Sequence, residues 1–232
     1  MNLFHHKGTK AQSSIKPLFF FMSLCLCGSF SQAAETLTVA VASSLYPVMQ
    51  QRAANFERAH HVTVRLVPGS TGRLYNQIMQ GAPFDLFIAA DQERPALLMR
   101  QHKATAQYAV SQGYLGVKVG KRIISELSML TNPSIRHIAI ANPDVAPLGK
   151  AAKVALQQRG LWRALQPKLI YAQNAMQAAM MVDQGLVDAG FVPLTSQQDA
   201  IAEIPYVAAL LHEQMMAHLF LQSDKLTAML LP

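Results

Sequence analysis

Leu37-Thr38-Val39-Ala40-Val41-Ala42-Ser43-Ser44-Leu45 is a short apolar run that ends in two hydroxyl side chains, and a helical spacing takes over at once across Leu45–Ala59. A buried strand that passes directly into a helix is the repeating unit of α/β sheets. The unit recurs along the chain. Strand-like runs at Val62–Val67, Phe84–Ala89, His137–Ala141, Lys168–Ala172 and Ala189–Pro193 alternate with helical spacing over Gly72–Gln80, Glu93–Gln101, Lys150–Arg159 and Met176–Gln184. Gly81, Gly160 and Gly185 stand where helix stops belong. The alternation predicts parallel sheets wrapped by helices. No internal repeat, low-complexity tract or Pro/Ser-rich linker interrupts it.

The strand-to-helix junctions carry the chemistry. Ser43-Ser44 follows the first strand, Gly69-Ser70-Thr71-Gly72 the second, Asn142 to Gly149 the fourth and Gln173-Asn174-Ala175 the fifth. Ligands of open α/β sheets collect at the carboxyl ends of strands. A helix start adds unpaired N–H groups and the positive end of the dipole. Several such starts brought together would hold an anion without any cation. Ser, Thr and Asn before a helix are also ordinary N-caps, so no single junction decides between the two roles.

Composition narrows the class further. With 51% hydrophobic and 14% charged residues among 232, the chain buries enough surface to exclude disorder. Two cysteines, Cys25 and Cys27, exclude a zinc ribbon or a disulfide framework. Residues 1–33 read as a secretory signal peptide: Lys7, Lys10 and Lys16 with no acid, an apolar run from Leu18 to Cys27, then Ser31-Gln32-Ala33. The run is about half of the ~20 residues that a membrane span needs. Lipid attachment at Cys27 is a weaker reading, because Leu26 is not the small residue that usually precedes the modified cysteine. Removal of the leader takes away both cysteines and lowers the formal net charge from +7 to +4. The remaining basic excess is thinly spread, so nucleic acid is not an expected partner.

The ordered series Val39-Ala40-Val41-Ala42-Ser43-Ser44-Leu45, Gly69-Ser70-Thr71-Gly72-Arg73-Leu74, Gly81-Ala82-Pro83-Phe84-Asp85-Leu86-Phe87-Ile88-Ala89-Ala90-Asp91, Pro147-Leu148-Gly149-Lys150-Ala151 and Asn174 to Thr195 resembles the periplasmic molybdate-binding proteins of ABC transporters. The resemblance spans about Leu37 to Gln198. It implies a two-lobed, hinged α/β periplasmic binding protein, each lobe a mostly parallel sheet wrapped by helices. The expected ligand, a tetrahedral oxyanion (molybdate, with tungstate as a second candidate), lies between the lobes and passes to an ABC-transporter permease. It also implies a monomer, with no metal cofactor and no covalent chemistry. The lobes are expected at residues 34–114 plus 196–232 and at 115–195. Carried over by position, Ser44 and Thr71 are the hydroxyl donors, Ser70 is the neighbour should the register shift by one, and Leu148 and Ala175 give backbone N–H groups. The fifth ligand of the family is often a Tyr, and its position here is Pro193, which has neither hydroxyl nor N–H. The chain also stops at Pro232, just after Thr227–Leu231 begins a helical pattern that the family usually continues.

Other residues have plainer expectations. His60-His61 lies at a helix end with no third ligand at metal spacing. His212 and His218 are expected at the surface of a strand region, and Met176, Met180 and Met181 in the core. Asp85 and Asp91 bracket a buried strand, as a carboxylate pair or as a helix cap. Arg73 and Lys150 sit just inside helices that face the cleft, to steer anions or simply to be solvated. Two alternatives stay open beside transport. One is an exported hydrolase with Ser44 as nucleophile, though Gly-x-Ser-x-Gly is absent. The other is a sensor or scaffold of the same fold that has lost or changed its ligand.

Overall fold

The computed structural model describes residues 36–211. The leader, His212, His218 and Thr227–Leu231 lie outside them. In chain order the elements are β1 (Thr36–Ala42), a 3-10 turn (Ser43–Leu45), α1 (Tyr46–His60), β2 (Thr63–Gly69), α2 (Thr71–Met79), β3 (Leu86–Ala89), α3 (Glu93–Arg100), β4 (Ala106–Val119), β5 (Arg122–Ile124), β6 (Ile138–Ala141), α4 (Pro147–Gln158), α5 (Trp162–Leu165), β7 (Leu169–Ala172), α6 (Ala175–Asp183), β8 (Ala189–Leu194) and β9 (Ala202–Leu210). The strands join in the order β2-β1-β3-β9-β4-β8-β6-β7, with β5 on β4.

Period-two alternation explains how the central strands bury both faces. Leu37, Val39, Val41, Leu86 and Ile88 pack on one side with Met49 and Phe56 of α1. Ala40, Phe87 and Ala89 pack on the other with Leu74 and Ile78 of α2 and Leu98 of α3. The same split divides β6, where Ile138 and Ile140 share a cluster with Ala152 and Leu156 of α4, and Ala139 meets Ala178 and Val182 of α6. Each fully buried Leu, Ile or Phe contributes about 1.5–3 kcal/mol. The runs at Val62–Val67 and Lys168–Ala172 form the two outer strands and are only half-buried. Gly81, Gly160 and Gly185 do end their helices, each with φ near +70° to +90°.

Within this mostly parallel sheet two long strands run against their neighbours. β4 and β9 are antiparallel to each other and to their neighbours β8 and β3. The start of β4 pairs only with β9, and its end with β8 and β5. This pair carries the sheet from the β1–β3 half to the β6–β8 half. Gly113 and Gly116 of β4 each stand where a neighbouring side chain crosses the backbone. A Cβ at either position would lie 2.4 Å from Tyr206 or Leu194 respectively. Pro205 is tolerated in β9 because it lies beyond the end of β3, whose last partner is Val207. Of the α6 methionines, Met181 packs half-buried against the Ala139–Ala178–Val182 cluster and Met176 is half-buried, but Met180 is not in the core. Ala178 and Val182 form the buried face of the helix, with Val182 so close to Gly190 that no Cβ would fit there, and Met180 is turned out to solvent.

Asp85 and Asp91 are structural and lie at opposite ends of β3. The buried Asp85 carboxylate accepts the Thr38 N–H at 2.7 Å, while the Asp85 N–H donates to Thr38 O at 2.9 Å. Asp91 accepts the Arg94 N–H in the first turn of α3 at 2.9 Å and pairs with the Arg94 guanidinium. Asp85→Ala leaves the Thr38 amide without its partner, so unfolding free energy should fall by about 1–3 kcal/mol. Urea unfolding measures this. An unchanged midpoint would contradict the clamp.

Candidate functional site

The carboxyl ends of β1 and β2 deliver their hydroxyls in different ways. After β1 the chain makes the 3-10 turn before α1, so Ser44 stands in that turn and not on the helix itself. After β2, Ser70 is extended and Thr71 is the first residue of α2. Both are deeply buried, at 4% and 1% exposure. Neither Ser44 nor Ser70 caps a helix, since the turn, α1 and α2 all start without a side-chain cap. At the start of α6, by contrast, Asn174 takes the capping role: its Oδ1 accepts the Gln177 N–H at 2.9 Å, and Gln177 Oε1 accepts the Gln173 N–H at 2.6 Å.

The backbone around the α2 start uses one of its two hydroxyls and leaves the other without a partner. The Gly72 N–H, a natural target for a capping Ser70, donates to Val145 O at 2.8 Å, and the Leu74 N–H to Ser70 main-chain O at 3.1 Å. Ser70 Oγ is thereby buried with no hydrogen-bond partner, alone in this among the buried side-chain polar atoms of the described residues. Such a group costs about 1–3 kcal/mol unless something satisfies it. Thr71 Oγ1 accepts the Ala90 N–H at 3.1 Å, which leaves its own proton to donate.

Across from these groups, Leu148 and Ala175 are buried in the first turns of α4 and α6, where amides lack an intrahelical carbonyl. An Asx turn sets up α4: Asn142 Oδ1 accepts the Asp144 N–H at 2.9 Å, and the Ala146 N–H donates to Asn142 O at 2.9 Å. The helix start then presses onto β6 through Gly149. A Cβ there would sit 2.0 Å from Ala141 O. The junctions meet: α2 touches the loop before α4 through Gly72 and Val145, Arg73 Nη1 donates to Gln173 Oε1 at 3.0 Å, and α6 lies against the 3-10 turn that holds Ser44. Pro193 stands in β8 opposite Leu115 and brings ring carbons but no donor.

The cations near these starts are already engaged. Arg73 is tied to Gln173, Lys150 to Glu93 at 3.5 Å, and Arg94 to Asp91. A groove of about 360 Å³ between α3, α4 and Glu203–Pro205 and a cavity of about 220 Å³ beside Arg73 and Gln173 flank the junctions. Ser44, Ser70 and Thr71 line neither of them. The arrangement offers hydroxyl and amide donors at helix starts, and among the described residues no cluster of three His, Cys, Asp or Glu could hold a metal.

One residue escapes the sequence reading. The Tyr206 Oη–H donates to Ser44 Oγ at 2.8 Å. The phenol is buried, which pushes its pKa above the usual tyrosine value against a smaller opposing pull from Ser44, so it stays a neutral donor. No local signal marks it; only the register of β9, with Val207 opposite Ala89, brings position 206 level with the carboxyl end of β3.

Residues 37–220 match the family model of bacterial extracellular solute-binding proteins. The molybdate-binding protein ModA of Azotobacter vinelandii is 33% identical over 186 residues, covering 78% of this chain and 73% of the relative. That of Rhodobacter capsulatus is 31% identical over 168 residues, covering 69% and 64%. The solved structure of the Azotobacter vinelandii periplasmic molybdate-binding protein superposes with a TM-score of 0.71 at 25% identity, over 83% of this chain and 90% of that one.

Proposed function

The chain belongs to the bacterial extracellular solute-binding protein family, and from that premise we propose that it binds a tetrahedral oxyanion, molybdate or tungstate, and delivers it to the permease of an ABC transporter. The observation that carries this reading is the start of α2, where two buried hydroxyls do not cap the helix and the neighbouring Arg73 and Arg94 already have the partners Gln173 and Asp91. In the proposed complex Ser44 and Thr71 donate their hydroxyl protons to the anion, with Ser70 beside Thr71, and the Leu148 and Ala175 amides donate from the opposite side. Each such bond to a charged acceptor is worth about 1.5–3 kcal/mol. The helix dipoles favour negative charge at the same place. A site made of donors suits an anion that carries no proton, since a protonated one brings a hydroxyl that needs an acceptor.

Residues 1–33 act as the export signal, and the mature chain works in the periplasm as a monomer. Its lobes, 34–114 plus 196–232 and 115–195, hinge at the β4–β9 pair. The Gly72–Val145, Arg73–Gln173 and Lys150–Glu93 contacts join the proposed lobes. A catalytic role gains no support from Ser44, whose hydroxyl partner is a phenol and not a base.

Melting curves with molybdate, tungstate, sulfate and phosphate test the reading, because a ligand at a hundred times its dissociation constant stabilises by about 2.7 kcal/mol. Molybdate and tungstate should raise the midpoint and phosphate should not; no shift with any of them would overturn the proposal. The charge-free character of the site has its own check. Arg73→Ala and Lys150→Ala each remove an exposed contact and should change molybdate affinity only a few-fold. A loss of more than about a hundredfold for Arg73→Ala, ~2.7 kcal/mol, would mean a site clamped by arginine.

A further inference from the structure

We propose that Tyr206 is a positioning and specificity-determining residue of this site: its phenol fixes the Ser44 hydroxyl as an outward donor and thereby favours an unprotonated anion. The inference rests on the oxyanion reading above and assigns one residue to it.

Two independent features place Tyr206. The strand register sets it one residue past the Ala89–Val207 pair, level with Ala90, whose amide holds Thr71. Its ring lies across Gly113, where a Cβ would come within 2.4 Å of Cε2, so the bare backbone of β4 makes room for it. The residue is 5% exposed, and Ser44 Oγ is the partner of its hydroxyl at 2.8 Å.

The consequence follows from what a hydroxyl can do. Ser44 has one proton to give. Once its oxygen accepts from Tyr206, its best remaining bond is made by donating outward, and the acceptance strengthens that donation. Thr71 is set in the same manner by the Ala90 amide. The two hydroxyls of the proposed site are therefore both oriented by a buried donor behind them. Pro193 supplies no hydroxyl from β8, so the phenol that shapes this site comes from β9. Without Tyr206, Ser44 Oγ is free to turn and accept, and a protonated anion such as hydrogen phosphate loses its disadvantage there.

The test is Tyr206→Phe, which keeps the ring over Gly113 and removes one oxygen. Molybdate and phosphate are titrated into wild type, Tyr206→Phe, Ser44→Ala and the double variant, with melting of each protein without ligand as the check on folding. Tyr206→Phe should weaken molybdate about tenfold and raise the phosphate-to-molybdate affinity ratio by a similar factor. In the Ser44→Ala background the same substitution should cost less than about twofold, since the two act through one bond. Affinities within twofold of wild type overturn the inference. So does an equal loss for both anions that persists in the Ser44→Ala background, the mark of a merely structural tyrosine. If the Tyr206→Phe variant does not fold, Ser44→Ala alone must weaken molybdate and raise the same ratio, or the inference falls. A wild-type protein that binds no tetrahedral oxyanion overturns this inference and the proposed function together, whereas binding by wild type with no change in Tyr206→Phe overturns the inference alone.

Discussion

Gly149→Ala is expected to weaken molybdate binding by more than about a hundredfold, ~2.7 kcal/mol, and to lower the melting temperature of the ligand-free protein. The added methyl would lie 2.0 Å from the Ala141 carbonyl oxygen and 2.7 Å from its carbon. Both atoms belong to the backbone of a fully buried strand, so no side-chain rotation relieves the overlap. The first turn of α4 must move away from β6. That turn carries the Leu148 amide, and a shift of about 1 Å in a donor is enough to lose most of a short hydrogen bond. Overpacking of this kind ordinarily costs about 1–3 kcal/mol of stability. Titration calorimetry and thermal melting read the two effects separately. Binding within tenfold of wild type would mean that the start of α4 does not face the anion.

Thr71→Val should lose both stability and affinity for one reason. Valine matches threonine in shape and lacks its oxygen. The Ala90 N–H, which Thr71 Oγ1 accepts at 3.1 Å in a buried setting, is then left unpaired at a cost of about 1–3 kcal/mol. In the proposed site the anion would lose a hydroxyl donor as well, for about ten- to a hundredfold in affinity. Thr71→Ser restores the oxygen and should recover most of both. Ser70→Ala is the matched control, because its hydroxyl holds nothing in the protein. The fold should tolerate that change or gain from it. If Ser70→Ala removes binding while Thr71→Val leaves it intact, the donor is Ser70 and the register is shifted by one.

The parts of this molecule that are legible in the sequence are those whose environment is uniform along a local segment. β3, β6 and β1 from Val39 onward are buried on both faces, so they read as apolar runs, and the residues after them fall where ligands of such sheets collect. Gly81, Gly160 and Gly185 are legible because a helix stop is set by a single backbone angle. β4 and β9 do not read as strands. The first half of β4 is largely exposed and polar, two of its glycines serve side chains that arrive from other strands, and β9 carries a proline where it lacks one neighbour. Met180 misleads because α6 offers two apolar sides, and the one that meets the sheet is that of the small residues Ala175, Ala178 and Val182. The residues of the proposed site divide in the same manner. Ser44, Ser70, Thr71, Leu148 and Ala175 stand beside local landmarks, whereas Tyr206 meets Ser44 across 162 positions. Whether a serine caps its helix also depends on where the neighbouring amides find partners, as Gly72 does in Val145.

In the proposed complex, donors without a free cation hold an unprotonated tetrahedral oxyanion between these helix starts. Calorimetric titration of molybdate into the protein tests it most directly. One molybdate per chain should bind with a dissociation constant at or below about 1 μM, ~−8 kcal/mol, and phosphate should bind at least a hundredfold more weakly. The absence of saturable molybdate binding, or phosphate binding as tightly as molybdate, would contradict it.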